Sequence, residues 1–264
     1  MLPFKKILFP VDFSQQCAGA ARYAEAFAGR FDAELTLMHV IAHAHYNDLI
    51  PVSPADLRRR LDSFLAKELD YFRVQRVLEE GDPASVIVNY AVQEHFDLIM
   101  LPTHGLGDFR RFLLGSVTAK VLHDSDCPVW TGVHLAQAPQ LENIVFRNFL
   151  CSVDLGPQFQ GVVECAAELA EQYRAKLSVL HVVPEPAGAA EVRQTIEGLL
   201  PPAAKHASVL VEAGEVAKTV SCVATRVRAD LLVIGRNPAP GMFGRLRTDA
   251  YSIIRQSPCP VISV

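Results

Sequence analysis

The sequence predicts an α/β protein made of two doubly wound, five-stranded parallel sheets. Each sheet takes the order 3-2-1-4-5 and carries helices on both faces. Three observations carry this reading. Short apolar runs alternate with helical stretches along the chain. Most of the runs are short and apolar on both sides, as strands buried on both faces are. The landmarks of the first half also return in the second at nearly constant spacing.

In the first half, Lys5 to Val11 turns apolar after its lysines and reads as a strand. Asp12 and Ser14 follow, and either can cap the alanine-rich helix expected over Gln15 to Arg30. Ala33 to Ile41 is a second strand ending at His39-Val40, and Ala42 to Val52 is a polar loop. Ser53-Pro54 pairs a cap with proline at the first helical position, opening a helix expected to reach about Leu69. Phe72 to Leu78 is a third strand. Asp82-Pro83 repeats the cap-and-proline signal for a helix to about His95. A fourth strand (97–101), a glycine loop, a helix from Ser116 and a last strand at Pro128 to Val133 complete the half.

The pattern then restarts after a polar linker, Ala136 to Glu142. Asp154 lies 142 residues after Asp12, and His181 lies 142 after His39. Gly214 follows Gly81 by 133, as Asp230 follows Asp97, and Cys259-Pro260-Val261 follows Cys127-Pro128-Val129 by 132. The chain is therefore a two-copy tandem, with expected domains at 1–138 and 143–264. Its second copy is shorter between strands two and three, and by one residue in the glycine loop.

Composition bounds the function. Half of the 264 residues are apolar and the net formal charge is −4. That gives ample core, and the slightly acidic balance gives no support for nucleic-acid binding. No apolar run approaches the ~18 residues of a membrane helix. Met1 to Lys6 leads straight into a strand-like run and does not resemble a signal peptide. The six cysteines form no Cys-x-x-Cys pair, so buried, reduced thiols in the cytoplasm are expected.

In this strand order the chain changes direction between strands 1 and 4, and ligands bind outside the strand C-termini at such a switch point. Asp12 ends strand 1. The segment from Pro102 through Gly105 to Gly115-Ser116 ends strand 4. A glycine turn running into a helix start suits a phosphate, because the first backbone N–H groups there are unpaired.

Five landmarks then occur in order: Ile7-Leu8-Phe9-Pro10-Val11-Asp12, His39-Val40, Gly81-Asp82-Pro83, Thr103-His104-Gly105 with Gly115-Ser116, and Cys127-Pro128-Val129. Together they resemble the universal stress protein family, over the whole chain as two successive domains. Its ATP-binding members carry Gly, two residues, Gly, nine residues, then Gly and Ser or Thr. Here Gly105, nine residues and Gly115-Ser116 match, while Pro102 takes the first glycine's place. The resemblance implies that Asp12 and Val40 contact adenine and ribose. Pro10 and Val11 lead into that contact, and Gly105, Gly115, Ser116 and Val117 hold the phosphates. Proline supplies no N–H, so one backbone contact or the loop's path is expected to differ. A magnesium ion carried with the phosphates is compatible, since it needs no protein cage.

The second copy departs further. Gly235 stands at the position of Pro102, Arg247 at that of Gly115 and Thr248 at that of Ser116. An arginine there would fill the space of a phosphate or salt-bridge one, and this half is expected not to bind ATP in the family's manner. Asp154 survives and serves equally as a helix-start cap. Arg110 and Arg111 read as a solvated basic face or as phosphate neutralisers. His39 is explained by the repeat, and His43 and His45 lie in a loop with no third ligand, so no zinc site is expected.

No nucleophile elbow and no Gly-x-x-x-x-Gly-Lys-Ser/Thr loop is present, and no base stands near Gly115. The expected function is a cytoplasmic stress-response protein, not an enzyme, that binds ATP as a regulatory ligand in its first domain. Slow hydrolysis stays open. The alternative is a nucleotide-free scaffold acting through protein contacts. The apolar last strands would be costly as open edges. An intramolecular pseudo-dimer is therefore expected, with association of two chains left open and the protein partners unnamed.

Overall fold

The computed structural model describes residues 4–42, 53–103, 114–132, 135, 138–236 and 248–264. The chain divides into two compact units, the first ending at Ile144 and the second starting at Val145.

The first unit runs β1 (Lys6–Pro10), α1 (Gln15–Phe31), β2 (Glu34–Ile41), α2 (Pro54–Ser63), β3 (Val74–Glu80), α3 (Pro83–Gln93), β4 (Leu98–Pro102), α4 (Ser116–Asp124) and β5 (Val129–Gly132). Its strands lie in the order β3-β2-β1-β4-β5, all parallel. The second unit runs β6 (Asn148–Val153), α5 (Phe159–Tyr173), β7 (Lys176–Val183), α6 (Ala189–Leu199), β8 (Ser208–Ala213), α7 (Val216–Arg226), β9 (Leu231–Ile234), α8 (Thr248–Gln256) and β10 (Val261–Ser263). Its order, β8-β7-β6-β9-β10, is the same 3-2-1-4-5 arrangement.

The matched residues have matched structural jobs. Asp97 precedes β4 and accepts the backbone N–H groups of Lys5 and Lys6, both at 2.8 Å. Asp230 precedes β9 and accepts those of Arg147 and Asn148, at 2.7 and 2.9 Å. Each carboxylate thus satisfies donors at the entry of its unit's central strand. Gly81 and Gly214 both turn the chain at positive φ, 144° and 146°, where a side chain would be strained. Asp32 and Arg174 both end the first helix of their unit in the left-handed region.

In the first unit, β1 beyond Lys6 and the whole of β4 are apolar and buried, and α1 lays Ala20, Ala24, Phe27 and Phe31 against them. Trp130, the chain's one tryptophan, is fully buried on β5 beside Tyr23, with ring centroids 5.2 Å apart. The chain beyond β5 returns to α1. Leu135 packs so closely on Gly19 that a Cβ there would lie 1.9 Å from the Leu135 carbonyl oxygen. Arg22 donates to the carbonyls of Ala138 and Pro139, and Leu141–Asn143 forms a short 3-10 turn.

Three expectations are corrected. The second helix stops at Ser63 instead of reaching Leu69: Phe64 is extended and Leu65 has φ 55°. Phe64 meets the ring of Phe13 edge-on at 5.3 Å, a tertiary contact that overrides the local helical pattern. The third strand runs from Val74 to Glu80, because pairing with β2 continues through Ile41↔Glu80 despite the two glutamates. Cys222 is exposed on α7, whereas the other five cysteines are buried.

Candidate functional site

Three side-chain caps start the first three helices of the first unit. Ser14 accepts from the N–H of Cys17, Ser53 from Ala55 and Asp82 from Ser85. The fourth helix differs. Its N-cap is Gly115, no side chain caps it, and its first turn holds no acid. The Gly115 N–H donates to the Thr103 carbonyl at 2.8 Å, closing the turn after β4, and the Gly115 carbonyl accepts from Ala119. Among the described residues, no side chain caps the α4 start, which carries the partial positive charge of a helix N-terminus.

That helix start forms one wall of a crevice of about 270 Å³ at the switch point between β1 and β4. Pro10, Val11 and Asp12 line it from the end of β1, Val40 from β2, and Gly115, Ser116 and Val117 from α4. Seven of the eight residues expected at a nucleotide site thus share one crevice. The eighth, Gly105, lies outside the described residues, as do Arg110, Arg111, His43 and His45. The remaining walls are mostly apolar: Met38, Pro83, Ile87, Leu101 and Pro102. Such a lining suits a flat apolar ring with a few polar anchors.

Pro102 is the last residue of β4, in register with Gly132, and its carbonyl accepts the hydroxyl of Thr118 at 3.0 Å. The chain continues as Thr103, whose N–H and hydroxyl both donate to the Gly132 carbonyl. Proline is accommodated here because it ends the strand, and its ring supplies crevice wall. On the far side, Asp82 accepts from Ser85 and from Lys120 Nζ at 2.8 Å, tying α3 to α4 where both line the crevice. These donors hold the Asp82 carboxyl well below the usual carboxylate range.

At the mouth, the His39 ring donates from Nδ1 to the Val11 carbonyl at 2.7 Å, and His181 does the same to Val153 at 2.9 Å. The repeated histidine is a tether between the first two strands of each unit. Among the described residues no group of three His, Cys, Asp or Glu side chains could hold a metal ion.

The second unit has a crevice at the matching place, about 170 Å³, lined by Asp154, Phe159, Val162, His181, Gly235 and Asp249 among others. Phe159 stands where Cys17 stands in the first unit and is buried. Asp249, one residue into α8, stands where Val117 stands and puts a carboxylate in the helix's first turn. Buried Arg236 replaces Thr103. The loop with Arg247 lies outside the described residues. The sequence reading missed Asp249 and Phe159, although their alignment with Val117 and Cys17 was available from the offsets.

Comparison with known proteins adds one decisive finding. The universal stress protein family matches the chain twice, over residues 3–131 and 146–264. The chain belongs to the universal stress protein family. Universal stress protein MJ0531 of Methanocaldococcus jannaschii is 33% identical over 140 residues, covering 48% of this chain and 80% of that protein. Universal stress protein MJ0577 of the same organism is 30% identical over 150 residues, covering 48% of this chain and 93% of that protein. A crystal structure of a universal stress protein from Archaeoglobus fulgidus aligns with 98% of this chain and 96% of its own. The TM-score is 0.76 at 22% identity, which bears on the fold. As a tandem member of the family, the chain carries two versions of one crevice.

Proposed function

We propose that the first unit binds ATP as a regulatory ligand and that the second unit does not take it in the same manner. One observation carries the reading: across a single apolar crevice, the Asp12 carboxylate stands opposite an uncapped helix start that holds no acid. A nucleoside donor suits the first, and phosphates suit the second. Ser116, Val117 and Thr118 offer the N–H groups of the first turn, which have no partner among the described residues. The Gly115 amide is committed to Thr103, so its part is to let the phosphates approach closely.

The role proposed is binding, with no catalytic group assigned, in a protein of the stress response. The proposed setting is the cytoplasm, where six free thiols stay reduced. Among the described residues no helix is long and apolar enough to cross a membrane.

Titration calorimetry with ATP and magnesium tests the reading. One site per chain is expected, lost in Gly115→Arg. A Cβ at Gly115 meets only ordinary contacts, at 3.5 Å and beyond, so the variant should fold. No heat at millimolar ATP would reject the nucleotide reading in favour of the scaffold. Phosphate release under excess ATP would point to an enzyme.

A further inference from the structure

We propose that the Cys17 thiol is a positioning group of the first crevice. It holds the Asp12 carboxylate so that Oδ1 is used inside the protein and Oδ2 is left for a hydrogen-bond donor of the ligand. The ligand half of this proposal rests on the nucleotide reading above, and the thiol–carboxylate half does not.

The geometry is a closed clamp. Cys17 Sγ donates to Asp12 Oδ1 at 2.9 Å, and the Asp12 N–H donates back to Sγ at 3.4 Å. The Ser14 N–H also donates to Oδ1, at 2.9 Å, and the Ser14 hydroxyl accepts from the Cys17 N–H at 3.2 Å. The first turn of α1 therefore grips both the backbone and one carboxylate oxygen of Asp12. Among the described residues, Oδ2 accepts nothing. Both Asp12 and Cys17 line the crevice.

An ionised carboxylate only accepts, so its clamp must be a donor. Cys17 stays one. It is 1% exposed, and burial together with the neighbouring Asp12 charge pushes its thiol up to about 12. The thiol is thereby kept protonated, with no role as nucleophile.

The clamp also selects what Oδ2 meets. An anionic oxygen accepts from a hydroxyl or amine and repels phosphate, so Asp12 fixes the nucleoside end while the phosphates lie toward α4.

The second unit supplies the contrast. Phe159 at the matching position has no donor, and α5 begins only there. Asp154 is exposed and its Oδ1 takes the N–H of Gly156 instead.

Two measurements test this. In infrared difference spectra of wild type minus Cys17→Ser, an S–H stretching band displaced to low frequency is expected. It should move upward in Asp12→Asn, whose neutral oxygen is a weaker acceptor. A band at the position of a free thiol, unmoved by Asp12→Asn, would overturn the clamp whether or not nucleotide binds.

In ATP titrations, Cys17→Ala should weaken binding roughly 3- to 10-fold, the scale of one hydrogen bond. Cys17→Ser, which keeps a donor, should return it to within about twofold of wild type. Cys151→Ala, which removes a buried thiol on β6 of the second unit, should change nothing. Equal loss in the alanine and serine variants would assign the effect to packing and overturn the positioning role. A displaced S–H band in a wild type that binds no ATP would uphold the clamp and sink the nucleotide reading alone.

Discussion

In the first unit the chain leaves β4 through Pro102 and Thr103 and enters a helix whose first turn carries only Ser116, Val117 and Thr118. In the second it leaves β9 through Gly235 and Arg236 and enters a helix with Asp249 in that turn. Strand order, the entry-capping aspartates and the histidine tethers are common to both. The differences fall on the crevice lining: Cys17 against Phe159, and Val117 against Asp249. One backbone plan therefore tolerates two crevice chemistries, because the lining residues that differ sit in the first turns of helices, outside the strand register that builds the sheet.

The comparison can be broken most severely at a glycine. Gly19 and Gly161 occupy the same position of α1 and α5. Gly19→Ala drives a Cβ into the Leu135 carbonyl at 1.9 Å, and a loss of about 3 kcal/mol is expected in chemical denaturation. A loss near zero would mean that the chain beyond β5 shifts aside freely.

The next effect concerns charge. Val117→Asp copies Asp249 into the first unit. ATP affinity should fall roughly 10- to 30-fold, about 1.5–2 kcal/mol, while the helix itself gains slightly from an acid at its start. Adenosine affinity should change by less than about twofold. Equal weakening of both ligands would count against electrostatics.

A smaller effect distinguishes the units by pH. Glu25 on α1 is 6% exposed, and burial, with Glu68 and Glu142 nearby and only partial relief from Arg22, raises its carboxyl to about 7. The folded chain then holds a proton that the unfolded chain releases near 4.5. The stability of the first unit should therefore decrease as pH rises from about 4.5 to 7. Glu25→Gln should add about 1–2 kcal/mol at pH 8 and nothing at pH 4.5, a figure discounted for solvent screening. Unfolding curves at the two pH values check this. The matching residue of the second unit is buried Ala167, which does not titrate.

Smallest is Gly161→Ala, with nothing within 4 Å of the added carbon. A gain of about 0.5 kcal/mol from helix propensity is expected, opposite in sign to Gly19→Ala.

Much of this was legible in the sequence because it is local. Ser14, Ser53 and Asp82 cap helices where their spacing placed them, and the offsets located matched residues with matched jobs. The crevice was legible because strand order alone brings Asp12 and Gly115 together. What escaped depends on contacts distant in sequence. Phe64 leaves the helix for the ring of Phe13, and the Gly115 amide is taken by Thr103, twelve residues earlier. The linker, polar in composition, is drawn onto α1 by Arg22. Asp249 and Phe159 escaped for another reason: the phosphate signal lies in glycines, and neither residue is a glycine or replaces one.

The burial of Trp130 has an experimental consequence. The only indole of the chain sits in the first unit, out of water and close to Tyr23. Tryptophan emission is therefore a private reporter of the first unit, whereas far-ultraviolet dichroism sums both. A denaturation followed by the two signals separates one cooperative transition from two. Added ATP should carry the emission midpoint upward with concentration, as mass action requires of a ligand held by the native first unit alone.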